Sequence, residues 1–320
     1  KEYTNKGVSY CATCLPPDES IIVNSSIKKI KDITPLTKVL TIDGTYKEIS
    51  GFTKRNYKWK LIKIRPRFFN EETLLTPNHP VYSLKVSKGI GENYFKDFKF
   101  SEPSWVSAGE LTENDCVLYP ILKETNDIDE IKISDFIEVK KDGEYILPFI
   151  ETHTSNRIID KIKIDNDFMR LVGYYIAEGT ANRHMLLFFF RKDEDIYIND
   201  VKTILKNKFG LEPSIRYEKT ICRIVIYSKI IADFFKSNFE KYSYKKRFPH
   251  WVMILPVEKQ KELIRGLWRG DGCVRDKDFC YVTSSRELTY QIRDILLRLG
   301  IIPSVMIRKK WRHNFSFFKK

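Results

Sequence analysis

Long apolar runs are missing from these 320 residues. No stretch approaches the roughly 18 apolar residues that a bilayer-spanning helix needs, and no basic leader precedes an apolar segment. The composition therefore argues against a membrane protein and predicts a cytoplasmic one. Cysteine is sparse: Cys11, Cys14, Cys116, Cys222, Cys273 and Cys280 are scattered along a large chain, which excludes a disulfide framework as the source of stability. Acids are in deficit, 42 against 56 Lys and Arg, leaving a net charge of +14. That excess favours a polyanionic partner, nucleic acid first, over a protein that is merely soluble and basic. What the chain does have is an apolar content of 42%, enough to supply cores for two domains and to exclude global disorder.

The patterning changes along the chain. Residues 14–122 read as all-β: short apolar stretches at Ser20–Val23, Thr37–Ile42, Lys60–Arg65 and Cys116–Tyr119 are separated by turn signals such as Asp43-Gly44 and Pro77-Asn78. Residues 123–165 are charged, with little helical periodicity, and read as a linker or a DNA-contacting segment. From 166 onward helices alternate with strands and an internal repeat appears. Leu171-Val172-Gly173-Tyr174-Tyr175-Ile176-Ala177-Glu178-Gly179 is echoed by Ile264-Arg265-Gly266-Leu267-Trp268-Arg269-Gly270-Asp271-Gly272, which sets the acids 271 − 178 = 93 positions apart. Gly210-Leu211-Glu212-Pro213-Ser214 is echoed by Gly300-Ile301-Ile302-Pro303-Ser304 at 300 − 210 = 90. Two landmarks at nearly one spacing indicate a duplicated α/β unit. The first copy reads helix, strand pair, helix, strand pair, helix; the second stops at Lys320 before its last helix, so the chain reads as cut off.

Each repeat motif is a short helix with a small residue on one face, Gly173 or Gly266, which would let two helices pack backbone against backbone. Each ends in an acid followed by a glycine that suits a left-handed C-cap. An acid at a helix C-terminus opposes the macrodipole at a typical cost of about 0.3–1 kcal/mol, and two such placements ask for a cation. If the helices pair about a pseudo-twofold axis, Glu178 and Asp271 meet at one end, where their oxygens could hold Mg²⁺ beside a phosphate. The alternative for a single motif is an ordinary buried helix with a capping glycine; a pair at this spacing favours the site.

Over residues 166–320 these motifs resemble the LAGLIDADG homing endonucleases. The resemblance implies a pseudo-twofold pair of αββαββα units, with the second incomplete here, acting as a monomer on double-stranded DNA. It also implies saddle-shaped sheets along the major groove and hydrolysis of both strands by metal-activated water, with Glu178 and Asp271 as catalytic acids and metal ligands. Lys246-Arg247-Phe248-Pro249 resembles that family's Lys-x-apolar-Pro block, making Lys246 the candidate to stabilise developing charge or polarise the water; a solvated lysine in a basic run is the other reading. Two features depart from the pattern: Glu178 stands where Asp is commoner, and no counterpart of Lys246 follows in the second repeat. Arg308, Lys309, Lys310 and Arg312, interleaved with aromatics in 307–318, and Arg216, Tyr217, Lys219 and Arg223 in the first repeat, are the candidate DNA-binding residues.

Residues 14–122 carry a second resemblance, to the all-β Hint horseshoe of inteins. Cys14-Leu15-Pro16-Pro17-Asp18, then Leu75-Thr76-Pro77-Asn78-His79-Pro80, then Trp105-Val106-Ser107-Ala108-Gly109 with Asn114-Asp115, look like three intein blocks in order. The resemblance implies protein splicing without a cofactor. The Cys14 thiol attacks the carbonyl of Thr13 in an N-to-S acyl shift, His79 protonates the departing nitrogen, and Thr76 polarises the same bond. The terminal His-Asn that inteins use for release is not found, because His313-Asn314 is followed by Phe315. Splicing would need a C-terminal Hint segment in cis from beyond Lys320. Residues 1–13, with Lys6-Gly7-Val8-Ser9-Tyr10-Cys11-Ala12-Thr13-Cys14, resemble the Cys-Ala-Thr-Cys segment of thioredoxin reductase, which makes Cys11 a redox residue of an interrupted host. The competing classes are a DNA-binding regulator on the LAGLIDADG fold without cleavage, a hedgehog-like autoprocessing module, and an oxidoreductase activity that belongs only to the spliced host.

Overall fold

Short strands of two to five residues, joined by turns and loops, supply most of the regular structure between 14 and 120 in the computed structural model, which describes residues 14–51, 53–69, 71–88, 98–150, 155–275 and 278–306. The described residues fall into two units: 14–23 with 28–120 and 302–306, and 24–27 with 121–301.

The strands before residue 120 are β1 (Ser20–Val23), β2 (Ser26–Lys29), β3 (Lys38–Leu40), β4 (Tyr46–Glu48), β5 (Ile62–Ile64), β6 (Thr73–Leu75), β7 (Pro80–Leu84), β8 (Val86–Lys88), β9 (Phe98–Phe100), β10 (Ser104–Ser107) and β11 (Cys116–Val117), with no α-helix among the described residues of 28–120. The antiparallel partners are β1 with β3 and β3 with β4, β5 with β6, β8 with β9, and β10 and β11 on either side of β7. The Asp43-Gly44 signal is realised as a tight turn. Gly44 has φ +82, and the Asp43 carboxylate accepts from Thr41 Oγ1 at 2.5 Å and Thr45 N at 3.2 Å.

The segment 123–165 is not a linker. It forms β12 (Glu130–Lys132), β13 (Lys140–Asp142), β14 (Tyr145–Leu147), β15 (Ile158–Ile159) and β16 (Lys161–Lys163), and it buries Ile133, Ile146, Ile158, Ile162 and Ile164 in the core of the second unit. Its charged composition has a simple origin. In a three-residue strand such as Lys161-Ile162-Lys163 only the middle side chain points inward, so charge predominates and no helical period appears.

There follow α1 (Asn166–Glu178), β17 (Gly179–Asn182), β18 (Met185–Arg191), α2 (Asp195–Phe209), β19 (Ser214–Glu218), β20 (Ile221–Tyr227) and α3 (Lys229–Phe239), the expected αββαββα order. The four strands form an antiparallel sheet in the order β17-β18-β20-β19. After α4 (His250–Met253) come α5 (Val257–Asp271), β21 (Gly272–Arg275), β22 (Asp278–Tyr281) and α6 (Arg286–Arg298), which repeat the first four elements of that order. Side-chain caps start three of the helices: Asp165, Ser228 and Ser285 accept from the amides of Phe168, Ile231 and Leu288.

Helix α1 lies at the centre, with Phe168, Met169, Leu171, Val172, Tyr174 and Tyr175 all fully buried, and it packs directly on α5. A Cβ placed on Gly173 would lie 2.3 Å from the Leu263 carbonyl oxygen and 2.6 Å from the Leu267 nitrogen; one on Gly266 would lie 2.1 Å from the Arg170 carbonyl oxygen. The backbones therefore touch at these two glycines. The glycines after the acids are not left-handed caps: Gly179 has φ −101 and Gly272 φ −72, both leading straight into strands. They are glycine for lack of room, because a Cβ at Gly179 would meet the Tyr175 ring at 2.5 Å and one at Gly272 would meet the Trp268 carbonyl at 2.4 Å.

Helix propensity alone makes Gly266→Ala stabilising by about 1 kcal/mol. The backbone contact predicts the opposite sign, a loss of at least about 2 kcal/mol in the urea-unfolding transition of this unit. A variant as stable as the wild type would show that the helices are not held this close.

Candidate functional site

The C-termini of α1 and α5 end in Glu178 and Asp271, and the packing at Gly173 and Gly266 brings them together. A Cβ on Gly270 would sit 3.0 Å from Glu178 Cγ, which shows how closely the end of one helix covers the acid of the other. Glu178 is half-buried and Asp271 exposed. Loss of hydration, first, and then the charges of Asp271 and Glu194 push the Glu178 carboxyl up to about 7. Asp271 is pushed up to about 6 by loss of hydration, opposed by Lys246. No described residue forms a salt bridge or hydrogen bond with either carboxylate.

Lys246 is not a solvated lysine: it is 3% exposed. Its Nζ donates to the carbonyls of Tyr175 at 2.7 Å and Gly179 at 2.9 Å and lies 3.4 Å from the centre of the Tyr175 ring, so it closes the C-terminal turn of α1. Burial pulls its ammonium well below the usual lysine range, against the charge of Asp271. The block around it is pinned from α6: the Lys246 carbonyl accepts from Ser285 Oγ at 2.7 Å, and the Phe248 amide donates to Gln291 Oε1 at 2.8 Å. Tyr281, which the sequence pattern did not single out, joins the same group. Burial and then the two acids push its hydroxyl far up, so it stays protonated. Only its position at 281 − 188 = 93 from Phe188 could have pointed to it.

Four candidate DNA-binding residues lie in β19, β20 and the turn between them. Arg216 and Arg223 stand opposite each other in register, and Phe189 stands opposite Arg223, so all three share the sheet face away from the buried Phe188 and Ile224. Tyr217 pairs with Cys222 on the other face, and Lys219 occupies the turn with φ +37. Arg308, Lys309, Lys310 and Arg312 lie outside the described residues, as does Cys11.

A second cluster lies wholly in the first unit. Cys14 and Thr76 exchange two hydrogen bonds: the Cys14 amide donates to Thr76 Oγ1 at 2.9 Å, and the Thr76 amide donates to the Cys14 carbonyl at 3.1 Å. Thr76 is 1% exposed. The His79 amide donates to the Thr76 carbonyl, and the His79 carbonyl accepts from Ala108, so backbone bonds tie the Thr-x-x-His turn to the Ser107-Ala108 block. The His79 Nδ1 is buried without a hydrogen-bond partner among the described residues, and burial lowers its pKa, which leaves the ring neutral at pH 7. Arg55, from a loop no motif marked, donates from Nε to the Cys14 sulfur at 3.1 Å.

Comparison with known proteins finds a LAGLIDADG-like domain at residues 258–317. The uncharacterized protein MJ0043 of Methanocaldococcus jannaschii is 33% identical over 313 residues, covering 91% of this chain and 38% of that protein. The ATP-dependent DNA helicase Hel308 of Thermococcus kodakarensis is 24% identical over 91% of this chain and 28% of its own length. The iron-sulfur cluster assembly SufBD family protein Rv1461 of Mycobacterium tuberculosis is 24% identical over 94% of this chain and 34% of its own length. The chain thus spans between a quarter and two fifths of these relatives. Among solved structures, I-DmoI in complex with DNA and Ca is matched with a TM-score of 0.35 and 14% identity, over 43% of this chain and 74% of that one. No helix among the described residues is long and apolar enough to cross a membrane.

The raised Glu178 gives a signed pH dependence. Its folded pKa, about 7, lies above the ordinary 4.5, so the folded state holds the extra proton between those values and loses stability as pH rises through them. In metal-free buffer Glu178→Gln is expected to match the wild type near pH 4.5 and to exceed it by about 1–3 kcal/mol at pH 8, after allowance for partial exposure. Thermal unfolding across that range checks this; a constant difference would refute the shift.

Proposed function

We propose that the second unit is a LAGLIDADG-type endonuclease that cuts both strands of a DNA target at the Glu178–Asp271 pair. The first unit, in this reading, is the N-terminal part of an intein splicing domain. The observation that carries the nuclease is the convergence of two acids on helix ends whose backbones touch. Nothing in an ordinary helix pair calls for two carboxylates at the same negative dipole end.

The donor chemistry fits a divalent cation such as Mg²⁺. Glu178 and Asp271 offer hard oxygen ligands without competing partners among the described residues, and Mg²⁺ is commonly held by one or two carboxylates plus substrate phosphates. When bound, the cation would supply charge neutralisation and an activated water. The chain's own part is then to hold the acids. Lys246 fixes the last carbonyls of α1, while Arg216 and Arg223 provide cations for the DNA backbone on their shared sheet face.

The splicing reading rests on the Cys14–Thr76 exchange. The amide nitrogen of Cys14 is the atom that must leave in an N-to-S acyl shift: its bond to the Thr13 carbonyl carbon breaks, the Cys14 sulfur bonds to that carbon, and the thiol proton ends on the nitrogen. Thr76 Oγ1 already accepts from this amide, His79 offers a buried unpaired nitrogen nearby in sequence, and Arg55 orients the sulfur. The relatives support an inserted element. One block of about three hundred residues matches parts of proteins whose names share no activity, a helicase and an iron-sulfur assembly protein among them. In this reading Cys11 is left from a host of thioredoxin reductase type.

Two experiments test these assignments. Asp271→Asn should abolish Mg²⁺-dependent cutting of an uninterrupted thioredoxin reductase gene while salt-sensitive DNA binding is retained. Wild-type cutting should rise with pH through about 6 to 7 as the two acids ionise. Undiminished cutting by the variant removes Asp271 from the centre. For splicing, excess thiol should cleave the full-length gene product before Cys14, and Cys14→Ala should prevent it; equal cleavage in both excludes the acyl shift.

A further inference from the structure

The two repeats place different side chains at one equivalent position. In the first, β17 and β18 set Thr180 opposite Leu187; in the second, β21 and β22 set Cys273 opposite Cys280. Both cysteines lie at the repeat offset, 273 − 180 = 93 and 280 − 187 = 93, so the two hairpins share one register. The fold therefore does not require sulfur here, since a threonine and a leucine fill the same place in the companion copy. The other described cysteines in strands face different residues, Cys116 opposite Leu84 and Cys222 opposite Phe190 and Tyr217. Both thiols are free and partly exposed.

We propose that Cys273 and Cys280 are a redox-responsive dithiol that closes into a cross-strand disulfide beside the acid pair. Residues directly opposite in an antiparallel pair have Cα atoms roughly 4.5 or 5.5 Å apart, according to the hydrogen-bonding position. Both values fall inside the roughly 4.4–6.8 Å that a disulfide spans, so the bond is within reach once the two Cβ atoms, roughly 4.5–5.5 Å apart at such a position, draw together by about an ångström. The oxidant is a low-molecular-weight disulfide. One thiolate attacks it to form a mixed disulfide and expels one small thiolate; the facing thiolate then displaces the second. Two electrons pass from the protein to the small disulfide, and the two thiol protons leave to solvent. The register makes the second step intramolecular, which favours closure over stable capping of a single thiol. Closure clamps a hairpin that begins one residue after Asp271 and carries Tyr281 on its opposite face.

The test uses the full chain equilibrated with glutathione and its disulfide at a series of ratios, then alkylated and digested with trypsin. Cleavage after Arg275 and Lys277 separates the two cysteines, so a linked pair of peptides reports the bond directly. The expected result is that linked peptide, formed at ratios where Cys273→Ser and Cys280→Ser each carry one glutathione, together with amide exchange across 272–281 on the order of tenfold slower in the oxidised protein than in the reduced one. Glutathione on both cysteines without linkage, linkage to another cysteine instead, or unchanged exchange after linkage would overturn the proposal. Because these readouts need neither DNA nor metal, they stand or fall separately from the nuclease reading.

Discussion

The contact between α1 and α5 at Gly173 and Gly266 is the constraint on which the second unit depends. Two backbones meet there with no room for a single Cβ, and the rest of the arrangement follows from that closeness. It brings the helix ends together and half-buries Glu178 against the end of α5. The last carbonyls of α1 are met there by the buried Lys246, whose Nζ donates to both Tyr175 and Gly179. Alongside the contact lies an ionic network. Arg170 on α1 donates to Asp200 on α2 and to Glu262 on α5, while Arg269 on α5 reaches Asp200 and the Tyr174 hydroxyl. Buried ion pairs add little net stability, but breaking one partner is costly, so such a network penalises any sliding of α1 along α5.

Elsewhere the second unit obeys local rules closely. Asp165, Ser228 and Ser285 cap their helices, Gly210 ends α2 with φ +66, and α1 is buried without a break from Leu171 to Ile176 because core surrounds that stretch. The acids at the ends of α1 and α5 break those rules in the same place and in the same way. Local preference and global fold usually agree, and the points where they part mark functional or strained sites. The cost appears as carboxyls that hold protons well above their ordinary range.

In the first unit the cluster around Cys14 is positioned largely by backbone hydrogen bonds. Cys14 is held through its own amide and carbonyl, to the Thr76 hydroxyl and the Thr76 amide respectively, and His79 is placed by its own amide and carbonyl, so the geometry of a turn and a strand edge sets the distances. That is why three short blocks, far apart in sequence and unremarkable singly, converge: Leu75–Pro80 supplies the turn, Ser107-Ala108 braces it, and the first cysteine is tied in by two hydrogen bonds.

Several features were legible in the amino-acid order. The repeat with its 93-residue offset, the αββαββα succession, the glycines that allow two helices to touch, and the pairing of Glu178 with Asp271 all follow from periodicity and from residue types with few other uses. The short strands of 14–122 and the turn at Asp43-Gly44 were readable for the same reason. Other features were set only by tertiary structure. The strands of 123–165 are too short to show a period; the conformation of Gly179 and Gly272 was set by crowding against Tyr175 and Trp268; and Lys246, Tyr281 and Arg55 acquired their roles from neighbours distant in sequence. Local pattern determines what a segment can form, because propensity and spacing act within a few residues. Burial, proton affinity and the partner of a charged group depend on what lies across the fold, and those were decided when α1 met α5.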